Sequence, residues 1–498
     1  MSTSNGQPVV WIWRTPSGQA PGRFTVAGAE RAWAFHRSLP GYQPTPLVPL
    51  RDLAARLGLT ALHVKDESGR FGQQAFKVLG GSFCLHRCME EGWDLREPGA
   101  QPGREQQCCE QQCCEPQRCG TQPDTALSDA SCPGSAHGGQ SVSSFSPRPD
   151  PDGQGSGVSA LRVSALRVVP PGQGSCAGHP CTLQSVIDPS GAPQPAAGRE
   201  PLPGAGAADA APPAQPRRTV VTATDGNHGR GIAWSANRLG LGCVVYLPRG
   251  SAPERVEAIR TLGAQAVVTD WNYDETVRFA SRQAERYGWV LVQDTSWPGY
   301  EQIPAWIMQG YTTMGLEIAR QLDRPPTHIF LQAGVGAMAG ALCGFFADCY
   351  AAARPVITIV EPHQANCLFQ TARHDDGRLH RVDGELRTIM AGLACGEPCH
   401  LGWEQIRAHA SCFVSTSDAV AATGMRVLGN PAGTDARIVS GESGAVTTGL
   451  VYAIMRDPAL GDLRRQLRLD SQSRVLCLST EGDTDREHYR RIVWDGLY

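Results

Sequence analysis

Apolar residues recur along this chain in two periods, and the way the periods alternate outlines a parallel α/β fold. Ala27 to Ser38 has helical spacing, with Ala32, Phe35 and Leu39 recurring on one side. Pro44 to Pro49 is an extended, proline-punctuated entry, and Leu50 to Leu57 predicts a short helix ended by Gly58. Ala61 to Lys65 predicts a strand, Asp66 to Gly69 a loop, and Phe76 to Met89 a helix with Leu79, Phe83, Leu85 and Met89 on its apolar side. Much later, Arg218 to Thr224 predicts a buried strand, followed by a glycine-rich turn and a helix over Ile232 to Leu239. Strands at Gly242 to Leu247, Ala266 to Thr269 and Trp289 to Val292 alternate with helices at Ala252 to Leu262 and Asp274 to Tyr287. A second series runs from the helix Ile303 to Leu322 through the strand Thr327 to Gln332, a small-residue loop, and a helix to about Ala353. The strand Val356 to Val360, helices at Asp418 to Leu428 and Gly444 to Met455, and a closing strand Arg474 to Leu478 complete it. The grammar of strand, small-residue loop and helix thus appears twice, as in open parallel sheets that bind ligands at their carboxyl strand ends.

Between the two halves the periodicity stops. From about Leu95 to about Arg218 the chain is Pro, Gly, Ser, Gln and Ala, with the repeats Gln-Gln-Cys-Cys-Glu at 106 and 111 and Ser-Ala-Leu-Arg-Val at 159 and 164. Such composition buries too little apolar surface to offset an ordering entropy of roughly 1–2 kcal/mol per residue, so residues 96–217 are expected to be a disordered insertion. A surface loop tolerates it because closure entropy grows only logarithmically with length. The remaining core of about 380 residues suits two domains. Residues 1–20 are expected to be a poorly ordered lead-in, with Trp11 and Trp13 available to dock.

Composition narrows the function classes. The formal charge of -3 in 498 residues gives no reason to expect nucleic acid or an anionic membrane as a partner. Mean hydropathy is -0.27, no apolar run reaches eighteen residues, and the first residues lack the layout of a targeting signal, so a cytoplasmic enzyme is expected. Of 18 cysteines, about eight lie between Cys108 and Cys181; Cys84, Cys243, Cys343 and Cys477 stand singly among apolar residues. Reduced thiols are expected. The pairs at 108–109 and 113–114 arise from the duplicated pentapeptide, without histidine or clean C-x₂-C spacing, and no metal site is expected.

Candidate chemistry begins with Lys77, set between Phe76 and Val78 and followed by Gly80, Gly81 and Ser82. Desolvation by such neighbours lowers a lysine's pKa and favours the neutral amine that attacks carbonyls, as on pyridoxal phosphate; a surface lysine on a helix is the plain alternative. Gly334-Val-Gly-Ala-Met-Ala-Gly340 misses the G-x-G-x-x-G pattern by one position, yet offers bare backbone N–H groups at a helix start. It reads either as a phosphate cradle or as close helix packing. Asp225-Gly-Asn-His-Gly229 places a carboxylate, an amide and an imidazole on one turn; Asn227 suits a phenolic oxygen, and His228 is as readily a packing residue. Asp294 reads as a helix cap or a second acid/base, and Ser479 or Thr480 as a neutral hydroxyl for a pyridine nitrogen, a choice suited more to β-elimination than to transamination.

Taken together, Ser68-Gly-Arg-Phe-Gly with Ala75-Phe-Lys-Val-Leu-Gly-Gly-Ser82, Thr224-Asp-Gly-Asn-His-Gly-Arg-Gly231, Gln332 to Gly340, Thr388 to Pro398 and Ser479 to Asp485 closely resemble diaminopropionate ammonia-lyase. The resemblance covers roughly residues 30–95 and 218–498, with the motifs in the family's order. It implies an α/β fold of the fold type II, tryptophan-synthase-β-like class, two doubly wound domains with pyridoxal 5'-phosphate between them. The large domain would take 21–71 and 286–498, the small one 72–95 and 218–285. It further implies conversion of D- and L-2,3-diaminopropionate to pyruvate and ammonia by a homodimer. Lys77 matches the Schiff-base lysine, and Asp225 and Asp294 the two acids serving the two enantiomers. Cofactor contacts would come from Phe76, Asn227, the loop of Gly334, Val335, Gly336, Ala337 and Met338, and Ser479 or Thr480. Gln73-Gln74 depart from the expected Leu-Asn, and the insertion falls inside the small domain. The alternatives are a serine/threonine dehydratase of the same fold, a catalytically impaired relative whose insertion recruits partners, and a chain whose mature form lacks 96–217.

Overall fold

Eleven strands in two sheets make up the framework of the computed structural model, which describes residues 8–93, 218–351 and 353–498. In chain order they are β1 (Val9–Trp13), β2 (Leu47–Pro49), β3 (Ala61–Asp66), β4 (Thr219–Ala223), β5 (Gly242–Leu247), β6 (Gln265–Val268), β7 (Val290–Leu291), β8 (His328–Gln332), β9 (Val356–Pro362), β10 (Cys412–Thr416) and β11 (Arg474–Ser479). The larger sheet has seven strands in the order β1-β10-β9-β8-β11-β3-β2, and the smaller has four in the order β6-β5-β4-β7. Every pair in the smaller sheet is parallel. The larger is parallel through its five central strands and antiparallel at both edges. Central strands of parallel sheets are covered on both faces, which is why β8 (His-Ile-Phe-Leu-Gln) is buried at every residue.

The lead-in expectation is corrected for part of its length. Val9–Trp13 is no loose tail but an edge strand, paired residue by residue with β10 from Val9 opposite Thr416 to Trp13 opposite Cys412. A five-residue run without period-2 alternation gave no strand signal of its own; its order comes from a partner some 400 residues away. β10 itself, and the helices Cys367–His374, His400–His409, Gly461–Leu467 and Arg486–Val493, are additional to the predicted elements. The expected insertion, with its repeats and cysteines, lies outside the described residues.

Two helices position the lysine stretch. Val78–Glu90 packs against Gln302–Gln321 so closely that a Cβ added at Gly310 would stand 2.5 Å from the Leu79 carbonyl oxygen. On the facing side, a Cβ at Gly80 would meet the Tyr311 ring at 2.5 Å. Only glycine permits this backbone approach, which fixes the start of the Val78–Glu90 helix, and with it Lys77, against the larger helix. The ten described cysteines are all unpaired.

Candidate active site

The sequence contains two lysines, Lys65 and Lys77, and Lys77 lines a cavity. The groups around it arrive from the carboxyl ends of parallel strands. Asp225 and Asn227 follow β4, Asp294 follows β7, the glycine loop follows β8, and Thr480 and Glu481 follow β11. The turn after β4 is tighter than predicted, because Gly226 at φ 144° lets the helix begin at Asn227.

Lys77 Nζ donates to Asp294 Oδ2 at 2.6 Å. Burial alone would lower the lysine's pKa, as the sequence suggested, but the carboxylates of Asp294 and Asp225 outweigh it and hold Lys77 above its ordinary value. That expectation is therefore corrected: in the protein alone Lys77 is an ammonium. Asp294 shows the converse balance. Burial pushes it up, while His228 and Lys77 pull it further down, to about 2. Its other oxygen, Oδ1, accepts weakly from Tyr273 Oη at 3.4 Å and Gln293 Nε2 at 3.3 Å. His228 lies behind the acid: its Nε2 bonds the Val292 carbonyl at 2.9 Å, so its Nδ1, 3.7 Å from Asp294 Oδ2, is the bare nitrogen. Burial keeps its pKa below the usual histidine value, so its charge acts on Asp294 only in acid.

Several buried polar atoms end at the cavity with no hydrogen-bond partner: Asp225 Oδ2, Tyr311 Oη and Gln332 Oε1. Gln332 cannot turn, since its Nε2 is held by the Ser443 and Leu478 carbonyls and Thr480 Oγ1 at 3.1, 2.9 and 3.1 Å. Orphaned groups of this kind cost about 1–3 kcal/mol each when left unmet, so a cluster of them marks a place for a polar ligand.

The glycine loop divides its duties. Gly336 has φ 95° and caps the helix Ala337–Cys349, whose first residues line the cavity, while a Cβ at Gly334 would lie 3.1 Å from Cys395 Sγ. Gly340 serves packing, since a Cβ there would stand 2.6 Å from the Gly402 backbone. The packing reading of the loop thus holds for Gly340, while Gly334 and Gly336 line the cavity.

Of the expected residues, Phe76, Lys77, Asp225, Asn227, Asp294, Gly334, Val335, Gly336, Ala337, Met338 and Thr480 line the one cavity. Ser479 does not. It is fully buried, and its Oγ is bonded to Ser440 Oγ at 2.8 Å. Glu481 was missed: it accepts from Asn227 Nδ2 and, at 3.1 Å, from the Ser443 N–H, so it pins the amide beside the site. Tyr273, Tyr311 and Gln332 were missed as well. Tyr311 reads as one more apolar helix position, and only its orphaned hydroxyl singles it out. Gln73 and Gln74 do not line the cavity; Gln74 adopts φ 56° and receives Arg230 Nη1 at 3.0 Å.

Residues 204–481 match the family model described as pyridoxal-phosphate dependent enzyme. The chain is 40% identical to diaminopropionate ammonia-lyase of Salmonella typhimurium over 468 residues, covering 93% of this chain and 91% of that protein. The structure of the Escherichia coli diaminopropionate ammonia lyase, solved with an aminoacrylate–pyridoxal-phosphate reaction intermediate, has TM-score 0.70 and 36% identity over 98% of this chain and 97% of that one. The same enzyme solved with D-serine gives 0.69 and 35%, with the same coverage.

Proposed function

The chain belongs to the diaminopropionate ammonia-lyase family of pyridoxal-phosphate-dependent enzymes, and on that premise we propose that its cavity eliminates ammonia from both enantiomers of 2,3-diaminopropionate. The observation that carries this reading is a lone amine, Lys77, held by Asp294 in a cavity where the second acid, Asp225, keeps a buried oxygen free. The donor set suits the cofactor. The N-terminus of the helix Ala337–Cys349, reached through the left-handed turn at Gly336, fits a phosphate monoester. Lys77 fits the aldehyde, and Asn227, whose amide is held by Glu481 through one hydrogen, has a second hydrogen for the phenolic oxygen. Thr480, rather than Ser479, fits the pyridine nitrogen: its Oγ1 accepts from Gln332, which leaves its own proton to donate. When bound, the cofactor supplies an electron sink for the charge left by removal of the α-proton.

The residues then act as follows. Lys77 releases a proton to solvent to become a nucleophile, which leaves Asp294 ionised and able to act as a base, and Asp294 holds the freed Nζ afterwards. Asp225 Oδ2 removes the α-proton of one enantiomer; Asp294, or Lys77 once freed, removes that of the other. The β-amino group leaves as ammonia, and hydrolysis of the remaining enamine gives pyruvate and a second ammonia. Phe76 and Tyr311, with rings 4.8 Å apart edge to face, exclude water from the Lys77 side.

A large domain of 21–71 and 286–498 and a small one of 72–95 and 218–285 are proposed, with two departures where the sheets draw the line elsewhere: Val290–Leu291 pairs with β4 in the smaller sheet, and Val9–Trp13 joins the larger. A homodimer is proposed from the family resemblance, and a cytoplasmic location from the unpaired state of the ten described cysteines. The test is a substrate panel: purified protein with pyridoxal phosphate, offered D- and L-diaminopropionate, serine and threonine. Pyruvate is expected from both diaminopropionates at a higher kcat/KM than from serine or threonine. The opposite ranking would make the chain a hydroxy-amino-acid dehydratase.

A further inference from the structure

Tyr311 projects from the helix Gln302–Gln321 into the cavity and has a role that nothing above assigns. Its side chain is buried to 1% exposure. Its ring is fixed from two sides by the lysine stretch, edge to face on Phe76 and directly over Gly80, where no side chain could fit. Its hydroxyl lines the same cavity as Lys77 and Asp294, and has no hydrogen-bond partner. After burial, the charges of Asp294 and Lys77 act most strongly on that phenol. A fixed, buried and unmet hydroxyl in the same cavity as an acid whose Oδ2 is occupied by an ammonium is in place to act once the ammonium leaves.

We infer that Tyr311 is a positioning residue for Asp294: when Lys77 Nζ is drawn away to hold the cofactor or is exchanged by substrate, the Tyr311 hydroxyl donates to Asp294 Oδ2 in its place. The acid then stays oriented for the proton it must move. This inference rests on the assignment of Asp294 as a base, and the experiment separates the two.

Tyr311→Phe removes the hydroxyl and keeps the ring. It is compared with Asp294→Asn and the unaltered protein, each with D- and with L-diaminopropionate. Tyr311→Phe is expected to lower kcat roughly ten- to a hundred-fold, as loss of a hydrogen bond to a charged group does, for the same enantiomer that Asp294→Asn impairs. KM and the other enantiomer should be little changed. A loss shared equally by both enantiomers, or falling on the one that Asp294→Asn spares, overturns the inference. The second readout needs no turnover. Cofactor-free Tyr311→Phe should melt no lower than the unaltered protein, because the hydroxyl it lacks was unmet, and its melting temperature should rise less on adding pyridoxal phosphate. A cofactor-free protein that melts several degrees lower would show the hydroxyl to be partnered already, and overturns it too. If Asp294→Asn impairs neither enantiomer, the base assignment fails, and a kinetic loss in Tyr311→Phe then also counts against Tyr311 acting through that acid.

Discussion

The chain's two lysines each meet a buried carboxylate at nearly the same distance, Lys65 with Glu317 at 2.7 Å and Lys77 with Asp294 at 2.6 Å, but their surroundings differ in kind. Lys65 Nζ uses all three of its protons, on Glu317, the Thr45 carbonyl and Gln321. Glu317 is equally saturated by Lys65, Arg70, Tyr42 and Thr45, and Arg70 adds a two-pronged pair to Glu67. Nothing is left over for a ligand. Lys77 has one partner, and unmet oxygens of Asp225, Tyr311 and Gln332 share its cavity. Satisfaction, not burial or charge, separates the lysine that holds the fold from the one proposed to do chemistry. The two are also linked: Glu67 N–H bonds the Ser479 carbonyl at 2.8 Å, and Phe76 N–H the Thr480 carbonyl at 3.2 Å. The end of β11 thereby ties Glu67 of the saturated cluster to Phe76, the residue before Lys77.

The largest effect expected from breaking this contrast is on turnover. Lys77→Ala should yield no detectable pyruvate and no lysine-bound cofactor absorbance, with a melting temperature close to the parent's. A persistent band would move the cofactor to Lys65. Glu317→Gln should do the opposite, costing about 3–5 kcal/mol in urea unfolding because it leaves Lys65 and Arg70 short of buried counter-charge, while the folded fraction still attaches cofactor. Equal stability to the parent would mean that the cluster does not hold the fold. Next in size, Thr480→Val should weaken pyridoxal-phosphate binding about tenfold, from the loss of roughly 1.4 kcal/mol of hydrogen bonding. Ser479→Ala should leave binding unchanged, and the reverse pattern would exchange their roles.

A smaller effect concerns acid. Asp294 sits at about 2 in the folded, cofactor-free protein, against roughly 3.9 in an unfolded chain, so the stability it contributes is complete above the higher value and lost as pH falls through the lower. The gap in urea midpoint between the unaltered protein and Asp294→Asn should therefore narrow from pH 4 towards pH 2; a constant gap would show that the acid is not held low. The smallest effect is at Gln74, whose φ of 56° suits asparagine better than glutamine. Gln74→Asn should stabilise by at most about 1 kcal/mol, and a loss would mean that the bond from Arg230 outweighs the backbone.

How legible these features were in the sequence follows from where their causes lie. Strands such as His328–Gln332, and the loops after them, announce themselves by local apolar runs and small residues, and so the Lys77, Asp225 and Gly334 positions could be read in order. Val9–Trp13 could not, because its order is supplied by β10 from far along the chain. Lys77 looked like a lysine of lowered pKa because the sequence shows Phe76 and Val78 but not Asp294, 217 positions away. The choice of Thr480 over Ser479 depends on Gln332 and Ser440, and the importance of Glu481 and Tyr311 on which buried atoms are met and which are not. Residue types are local; hydrogen-bond satisfaction belongs to the assembled fold.

The contrast between the two lysines is tested most directly by fixing the cofactor where it binds. The protein loaded with pyridoxal phosphate is reduced with borohydride, digested and mapped by mass spectrometry. The account predicts a pyridoxyl group on the peptide carrying Lys77, with Lys65 unmodified; label on Lys65, or on neither lysine, would contradict it.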